Sequence, residues 1–330
     1  MIAIRDIPRR LWHGTVDHLD VPLFMITVAI MCVGLATVFS ATYDSNNRLI
    51  GQLINMTFAF ALMWGVAQLP PQKLMRFAVP LYLLGMVLLV LVFLFGVKVN
   101  GARRWLNIGI TRIQPSEIMK IAMPLMLAWY FHKYEAALKI RHYAIAALLL
   151  IVPFGLVAKQ PDLGTAILIG AAGFYVLFLA GLQWKIIFGL MAAGAAAAPL
   201  LWTVLHDYQK KRILTLIDPT SDPLGSGYHI IQATIAIGSG GPTGKGWLQG
   251  TQTHLEFIPE KHTDFIFAVF SEEWGLVGNT VLLILYLLLI GRGLMITANA
   301  STLFSRLLAG SITLSLFTYA FVNMGMVSGI

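Results

Sequence analysis

Long apolar runs follow one another along most of this sequence and decide what it can fold into. A helix needs about 20 predominantly apolar residues to cross a bilayer, and lipid offers no partner for exposed backbone N–H and C=O groups. Only 12% of the 330 residues are charged, against about 25% in ordinary soluble domains. We therefore predict an all-α polytopic membrane protein with about nine transmembrane helices. The predicted spans are 20–40, 49–69, 74–97, 115–131, 143–158, 163–181, 186–205, 265–290 and 302–330.

Basic residues near the span ends predict the orientation of the chain. Arg5, Arg9 and Arg10 should keep the N-terminus in the cytoplasm, because cytoplasmic segments carry an excess of Lys and Arg. The first apolar run begins too late for a cleavable signal peptide. Threading the spans from there makes 206–264 an extracytoplasmic loop between helices 7 and 8, inside a single transmembrane domain over 1–330. The one cysteine, Cys32, lies in the first span, where we interpret it as a small packing residue.

The short outer loop at 97–114 breaks the expected charge pattern. It holds Lys98, Arg103, Arg104 and Arg112, although basic residues are normally concentrated on the cytoplasmic side. Cations on this face indicate an anionic ligand such as a phosphate. Contact with lipid headgroups is the alternative.

Two further polar segments belong to the same outer face. Glu117 and Lys120 lie three residues apart at the start of the fourth span, hence on one face of its helix. They form either a self-satisfying buried ion pair or part of the lining of a water-filled cavity. Asp162, in the tight link between spans five and six, either caps the sixth helix or takes part in a site.

The glycine-rich segment 238–246 resembles a nucleotide-binding loop but fails its pattern. Ser239 stands where the first glycine of a P-loop would be, and Gly246 replaces the Ser or Thr after Lys245. We interpret it as a glycine-rich turn with a basic tip, held against the outer surface. The flanking stretches 229–237 and 246–258 predict short amphipathic helices at the interface.

Asp264 is the carboxylate that most needs an explanation, since it lies where the long polar loop re-enters an apolar span. Ionisable groups at a membrane boundary are costly and usually mark a functional site. Asp264 could alternatively cap the eighth helix. Glu272 and Glu273 lie two turns deeper, and we expect them to make structural pairs or caps for the long loop.

Five motifs, in order and spread over most of the chain, resemble the SEDS family (shape, elongation, division and sporulation). Within it, 244–252 and 254–258 are more similar to the elongation branch than to the division branch. The motifs are Asn100–Trp105, Gln114–Lys120, Gln160–Thr165, Gly238–Gly246, and Pro259–Phe267 followed by Glu272–Gly275. Family members carry ten helices, so the resemblance implies a chain truncated at its C-terminus.

The resemblance implies a peptidoglycan glycosyltransferase that polymerises lipid II during cell-wall elongation, in the bacterial inner membrane with its active site facing the periplasm. It further implies a class B penicillin-binding protein as partner, together with other elongation-complex proteins, and no nucleic acid. A lipid II flippase is the alternative, although its polar residues should be accessible from both faces. A non-enzymatic scaffold would not need carboxylates beside basic clusters.

The residues fit that chemistry. An α-linked donor that gives a β-linked product requires inversion, most simply by one displacement with a carboxylate as general base, and Asp264 fits the base. The departing pyrophosphate requires positive charge from side chains or a divalent cation such as Mg²⁺ or Mn²⁺. Glu117 and Asp162 are suited to holding those cations or the metal, whose identity stays open. The candidate side chains for the charge are Arg103, Arg104, Lys120 and Lys245.

Overall fold

The computed structural model shows a helical chain whose long helices match the predicted spans. It describes residues 19–43, 46–99, 102–107, 109, 112–205, 207, 210, 214–215, 218–223, 225–255, 257–258 and 260–329. Arg5, Arg9 and Arg10, on which the predicted orientation depends, lie outside these residues. The long helices are α1 (Val21–Ala41), α2 (Asn46–Ala67), α3 (Pro71–Phe95), α4 (Pro115–Lys133), α5 (Ile140–Lys159), α6 (Leu163–Leu179), α7 (Trp184–Val204), α10 (Ile266–Ala298) and α11 (Leu303–Ser328).

Six of these helices, α1, α2, α3, α5, α10 and α11, are long and apolar enough to cross a membrane. The helices α6 and α7 contain shorter apolar segments. Helix α4 differs, because 12 of its 19 residues are buried in protein. The predicted membrane fold is thus confirmed, with α4 as an interior helix. Cys32 corrects one detail: its side chain is exposed on α1 and faces outward instead of packing.

The elements between the long helices are short. A small antiparallel sheet in the order β1–β2–β3 occupies the segment that the sequence predicted as a loop. In the long segment after α7, the predicted helix over 229–237 is confirmed, but the one over 246–258 is a single turn. These elements are β1 (Val97–Val99), β2 (Ala102–Asn107), β3 (Arg112–Ile113), α8 (Ser226–Gly240) and α9 (Thr251–His254).

The chain divides into two compact units. Unit 1 comprises Met1–Gln68, Met191–Leu289 and Ala320–Ile330, and unit 2 comprises Leu69–Leu190 and Ile290–Tyr319. The single transmembrane domain over 1–330 stays a prediction.

The core of unit 2 forms around α4, where Met119, Leu127 and Phe131 are fully buried. Small residues let the neighbouring helices approach closely, as is usual in membrane bundles. A Cβ atom at Gly85 of α3 would lie only 2.9 Å from the sulfur of Met119. Helix α4 begins at Pro115, as the sequence predicts, because a proline in the first helical turn costs no hydrogen bond.

The core of unit 1 includes a break in helix α10. At Gly275 the backbone is non-helical, with φ +61° and ψ −158°. The freed groups pair with the glycine-rich segment: the N–H groups of Lys245 and Gly246 donate to the carbonyls of Glu272 and Glu273 (3.0 Å each), and the N–H of Leu276 donates to Gly241. A break at membrane depth is tolerated where protein satisfies the backbone in this way.

Glycine is required at this junction because the two backbones touch. A Cβ atom at Gly244 would lie 2.1 Å from the carbonyl oxygen of Glu273, and one at Gly240 would lie 2.2 Å from that of Ser271. The glycine-rich segment is therefore a docking strip for α10, which fits the interpretation of a turn held against a surface. A phosphate-cradling loop is not what this geometry builds.

Candidate active site

Asp264 lies two residues before α10, in unit 1, with an exposed side chain. Its carboxylate accepts no hydrogen bond from any residue that the structure describes, so the alternative of an N-cap for α10 finds no support in the geometry. Its backbone carbonyl accepts a hydrogen bond from the side-chain amide of Asn323 on α11 (3.0 Å). The main chain at Asp264 is therefore held while its carboxylate stays free to meet a substrate.

Glu272, two turns into the protein, has no solvent exposure and is fully engaged. It accepts from the ammonium of Lys245 (2.7 Å), the backbone N–H of Gln252 (2.8 Å) and the hydroxyl of Thr253 (2.9 Å). The bonds from the backbone N–H groups of Gln252 and Thr253 satisfy donors at the start of α9, the role of an N-cap. The expectation that Glu272 is a structural cap and pair for the long loop is confirmed.

Glu273 makes the second structural link expected from the sequence. It accepts hydrogen bonds from the hydroxyl of Ser40 on α1 and from the backbone N–H of Leu248 (3.2 Å). Its other carboxylate oxygen is buried without a partner among the described residues. Both carboxylates thus fasten the long loop onto α10, and neither reaches a surface where substrate could bind.

Lys245 has a different environment from the one that its position at the tip of a turn suggested. Its ammonium binds Glu272 and the hydroxyl of Thr251, at 2.7 Å each, and its side chain is 26% exposed. The structure does not pair it with Asp264. Because its charge is already matched by a buried carboxylate, Lys245 is better placed to hold the loop than to stabilise a departing pyrophosphate.

In unit 2, Arg104 is brought together with Asp162. The guanidinium donates to the carbonyl of Pro161 and lies 3.8 Å from the carboxylate of Asp162. That carboxylate also accepts from Gln114 (3.0 Å) and from the backbone N–H of Thr165 (3.3 Å). Asp162 is thus the N-cap of α6, one of the two roles predicted for it, and Arg104 ties β2 to the α5–α6 link.

Arg103 takes the opposite side of strand β2. Successive side chains alternate across a strand, so Arg103 is exposed while its neighbour turns inward. Its guanidinium makes no hydrogen bond or ion pair with another described residue. The sequence named both arginines as candidates, and of the two the structure leaves Arg103 available to an anionic ligand.

Glu117 and Lys120 do meet on one face of α4. The ammonium of Lys120 lies 2.6 Å from the carboxylate of Glu117. The Glu117 side chain is 54% exposed and the Lys120 side chain 20%. The ammonium also lies over the ring of Tyr319, 5.5 Å from its centroid. The pair is only partly buried, which does not fit a sealed ion pair, and the cavity-lining interpretation stays a prediction.

The comparison with protein families decides the class. A family model described as "Cell cycle protein", which covers FtsW, RodA and SpoVE, matches residues 13–330. The chain belongs to the SEDS family.

Curated SEDS relatives cover almost the whole chain. The peptidoglycan glycosyltransferase MrdB of Escherichia coli strain K12 is 49% identical over 326 residues, 98% of this chain and 88% of the relative. The probable peptidoglycan glycosyltransferase FtsW of Geobacter metallireducens is 33% identical, over 96% of this chain and 87% of the relative.

Solved structures agree with this SEDS assignment. A chain from work on polymerization and crosslinking by a peptidoglycan synthase complex has a TM-score of 0.80 at 34% identity, covering 94% of this chain and 88% of that one. The rod shape determining protein RodA of Thermus thermophilus has a TM-score of 0.66 at 29% identity, covering 93% and 84%. This SEDS protein is therefore a multi-pass membrane protein.

Two of the contacts that the sequence did not predict are made by α11 of this SEDS chain. Asn323 reaches Asp264 across 59 residues, and Tyr319 covers Lys120. Both side chains come from an apolar span where no local pattern distinguishes them, and only the packed helix shows what they touch.

The described residues do not form a protein-only metal site. They contain no group of three His, Cys, Asp or Glu side chains placed to hold an ion. Glu117 and Asp162, the carboxylates suited to a metal by sequence, each lie beside a cation instead.

Proposed function

We propose that this SEDS chain is a peptidoglycan glycosyltransferase that polymerises lipid II into glycan strands during cell-wall elongation. One observation carries the proposal within the family: Asp264 presents a free, exposed carboxylate from a main chain held by its neighbours. A general base needs a free lone pair aimed at substrate, whereas the carboxylates of Glu272 and Glu273 are engaged in structural contacts.

The reaction is an inverting displacement at the anomeric carbon of the donor. The hydroxyl oxygen of the acceptor sugar attacks that carbon, the bond to the pyrophosphate oxygen breaks, and the proton of the hydroxyl passes to the carboxylate of Asp264. A single displacement turns an α-linked donor into a β-linked product. One carboxylate is sufficient, because the pyrophosphate leaves as an anion and needs charge more than a proton.

Cationic side chains stabilise the negative charge on the departing pyrophosphate. Arg103 supports this role by its exposure and its freedom from other described partners. Lys120 supports it by its partial exposure beside Glu117. Arg104 and Lys245 contribute indirectly, by fixing the α5–α6 link and the long loop.

We also propose that a divalent cation can assist the reaction, held by one carboxylate and the substrate phosphates. Mg²⁺ commonly binds through one or two carboxylates together with substrate phosphates, and a carboxylate such as that of Glu117, 54% exposed, can contribute one ligand. Such an ion would add charge at the pyrophosphate. Titration of the polymerisation rate with EDTA, followed by Mg²⁺ or Mn²⁺ addition, tests the requirement.

We further propose a protein partner and a membrane orientation for this chain. A class B penicillin-binding protein would crosslink the strands made here, in keeping with the synthase complex that contains a structural relative, and other elongation-complex proteins would join them. The protein would lie in the bacterial cytoplasmic membrane, with its N-terminus in the cytoplasm and Asp264 facing the periplasm.

The test is polymerisation of fluorescent lipid II by the purified protein and its partner in detergent, with products separated on a gel. A glycosyltransferase makes long glycan strands under these conditions. A flippase makes none, since detergent abolishes the two membrane faces on which transport depends. Absence of polymer, with lipid II transport in vesicles, would replace the proposal with the flippase.

A further inference from the structure

The segment that carries Asp264 is fastened to several neighbouring elements, although the carboxylate itself is free. Lys261 donates to the carbonyl of Thr253 in α9 (3.0 Å). Glu260 adopts φ +48°, a conformation that non-glycine residues keep only where surrounding contacts enforce it. The chain just before Asp264 is therefore held in one shape.

Phe265, the next residue, supplies an apolar anchor. It is only 8% exposed, and its ring stacks on that of His229 in α8, with centroids 5.8 Å apart and planes at 22°. A buried aromatic ring has few alternative positions in a packed interior. This contact fixes the position at which α10 begins. The peptide between Asp264 and Phe265 then needs a contact of its own to hold its orientation.

Asn323 restrains that peptide. Its amide donates to the carbonyl of Asp264 (3.0 Å) from α11, while the backbone N–H of Ala268, four residues after Asp264, donates to the carbonyl of Phe265. A donor from a different helix thus holds the Asp264 carbonyl. Because it binds the main chain and not the carboxylate, it adds no charge or hydrogen bond that would weaken the base.

We propose that Asn323 is a positioning residue for Asp264, holding the peptide so that the carboxylate meets the attacking hydroxyl; this rests on the proposed glycosyltransferase function. Proton transfer depends on donor and acceptor lying within hydrogen-bond reach, and small misplacements of catalytic groups lower rates strongly. The proposed polymerisation by this chain thus depends on a side chain that does not touch substrate.

Three substitutions distinguish loss of the Asn323 hydrogen-bond donor from loss of the side-chain volume. Asn323→Asp keeps the shape but cannot donate, Asn323→Ala removes both, and Asn323→Gln keeps an amide donor. We expect kcat for lipid II polymerisation to fall about 2- to 12-fold for Asp and Ala, the rate equivalent of one net hydrogen bond. KM should stay within about twofold, since ground-state binding is untouched. The Gln variant should recover part of the rate.

A matched control is Asn299→Ala, because Asn299 is exposed one residue after the end of α10 and its side-chain amide donates to the carbonyl of Met295 in that helix. Its kcat should equal that of the unchanged protein. Wild-type kcat in Asn323→Asp and Asn323→Ala, or equal losses in all three variants including Gln, would overturn the inference. Failure of the isosteric Asp variant to fold, seen in its melting curve, would also overturn it, by making the contact a structural one.

Asp264→Asn, run in parallel, separates this inference from the function on which it rests. If that variant keeps near-normal activity, the base assignment fails whatever Asn323 does. If it is inactive while the Asn323 variants are normal, only the positioning role is lost.

Discussion

The ion pair between Lys245 and Glu272 predicts that loss of the lysine weakens the fold before it affects chemistry. Glu272 is fully buried, and Lys245→Ala leaves its charge without a counterion. Breaking a buried pair typically costs about 3–5 kcal/mol. Here the loss should be smaller, because Glu272 keeps its bonds from Gln252 and Thr253 and Lys245 is already 26% exposed to water. One charged hydrogen bond, about 2–3 kcal/mol, is the expected size.

The measurement is a double-mutant cycle read by thermal melting in detergent. Lys245→Ala should lower Tm clearly, whereas Lys185→Ala, at an exposed lysine in the first turn of α7, should leave it unchanged. Adding Glu272→Gln to Lys245→Ala should restore part of the lost Tm, because the buried carboxylate charge is then removed. Polymerisation per folded molecule should change little. An unchanged Tm with a lost rate would refute this reasoning and return Lys245 to the pyrophosphate.

Three other predictions concern separate parts of the chain. Arg103→Ala should lower kcat on the order of 30- to 1,000-fold without a change in Tm, the cost of a transition-state contact, whereas Arg104→Ala should lower Tm; the reverse pattern would exchange their roles. Gly275→Ala should abolish folded protein in size-exclusion chromatography, because the residue has φ +61° and its Cβ would lie 2.3 Å from the backbone of the docked strip; a monodisperse, active variant would contradict the docking. In intact cells with Cys32 replaced, Thr243→Cys should react with a membrane-impermeant thiol reagent and Lys139→Cys should not, both positions being exposed; labelling at 139 would invert the orientation.

The membrane fold could be predicted because its signal is local. A span needs about 20 apolar residues in a row, so each predicted run coincides with a long helix in the part of the chain that the structure describes. Two other local signals also led to correct predictions. Helical spacing predicted the pair of Glu117 and Lys120, and the position of Asp162 at a helix start predicted its role as a cap. The small sheet at 97–113 was missed, since its strands are two to six residues long and too short for a reliable pattern.

The candidate site could be predicted only in part, because several of its contacts join distant segments. The sequence nominated Asp264 by its position at a membrane boundary, and its role as the base stays a prediction. The different orientations of Arg103 and Arg104 follow from strand β2, which the sequence did not predict. It did not predict that Lys245 would bind Glu272, 27 residues away. That pair depends on how the glycine-rich strip docks against the break in α10, which no local periodicity encodes.

The most direct test of the central claim is the polymerisation rate of Asp264→Asn. The amide keeps the size of the side chain and the backbone contact with Asn323 but cannot take up a proton. We predict an unchanged melting curve, unchanged lipid II binding and no detectable glycan polymer at neutral pH. Near-normal polymer yield from a well-folded Asp264→Asn protein would contradict the account and remove Asp264 as the base.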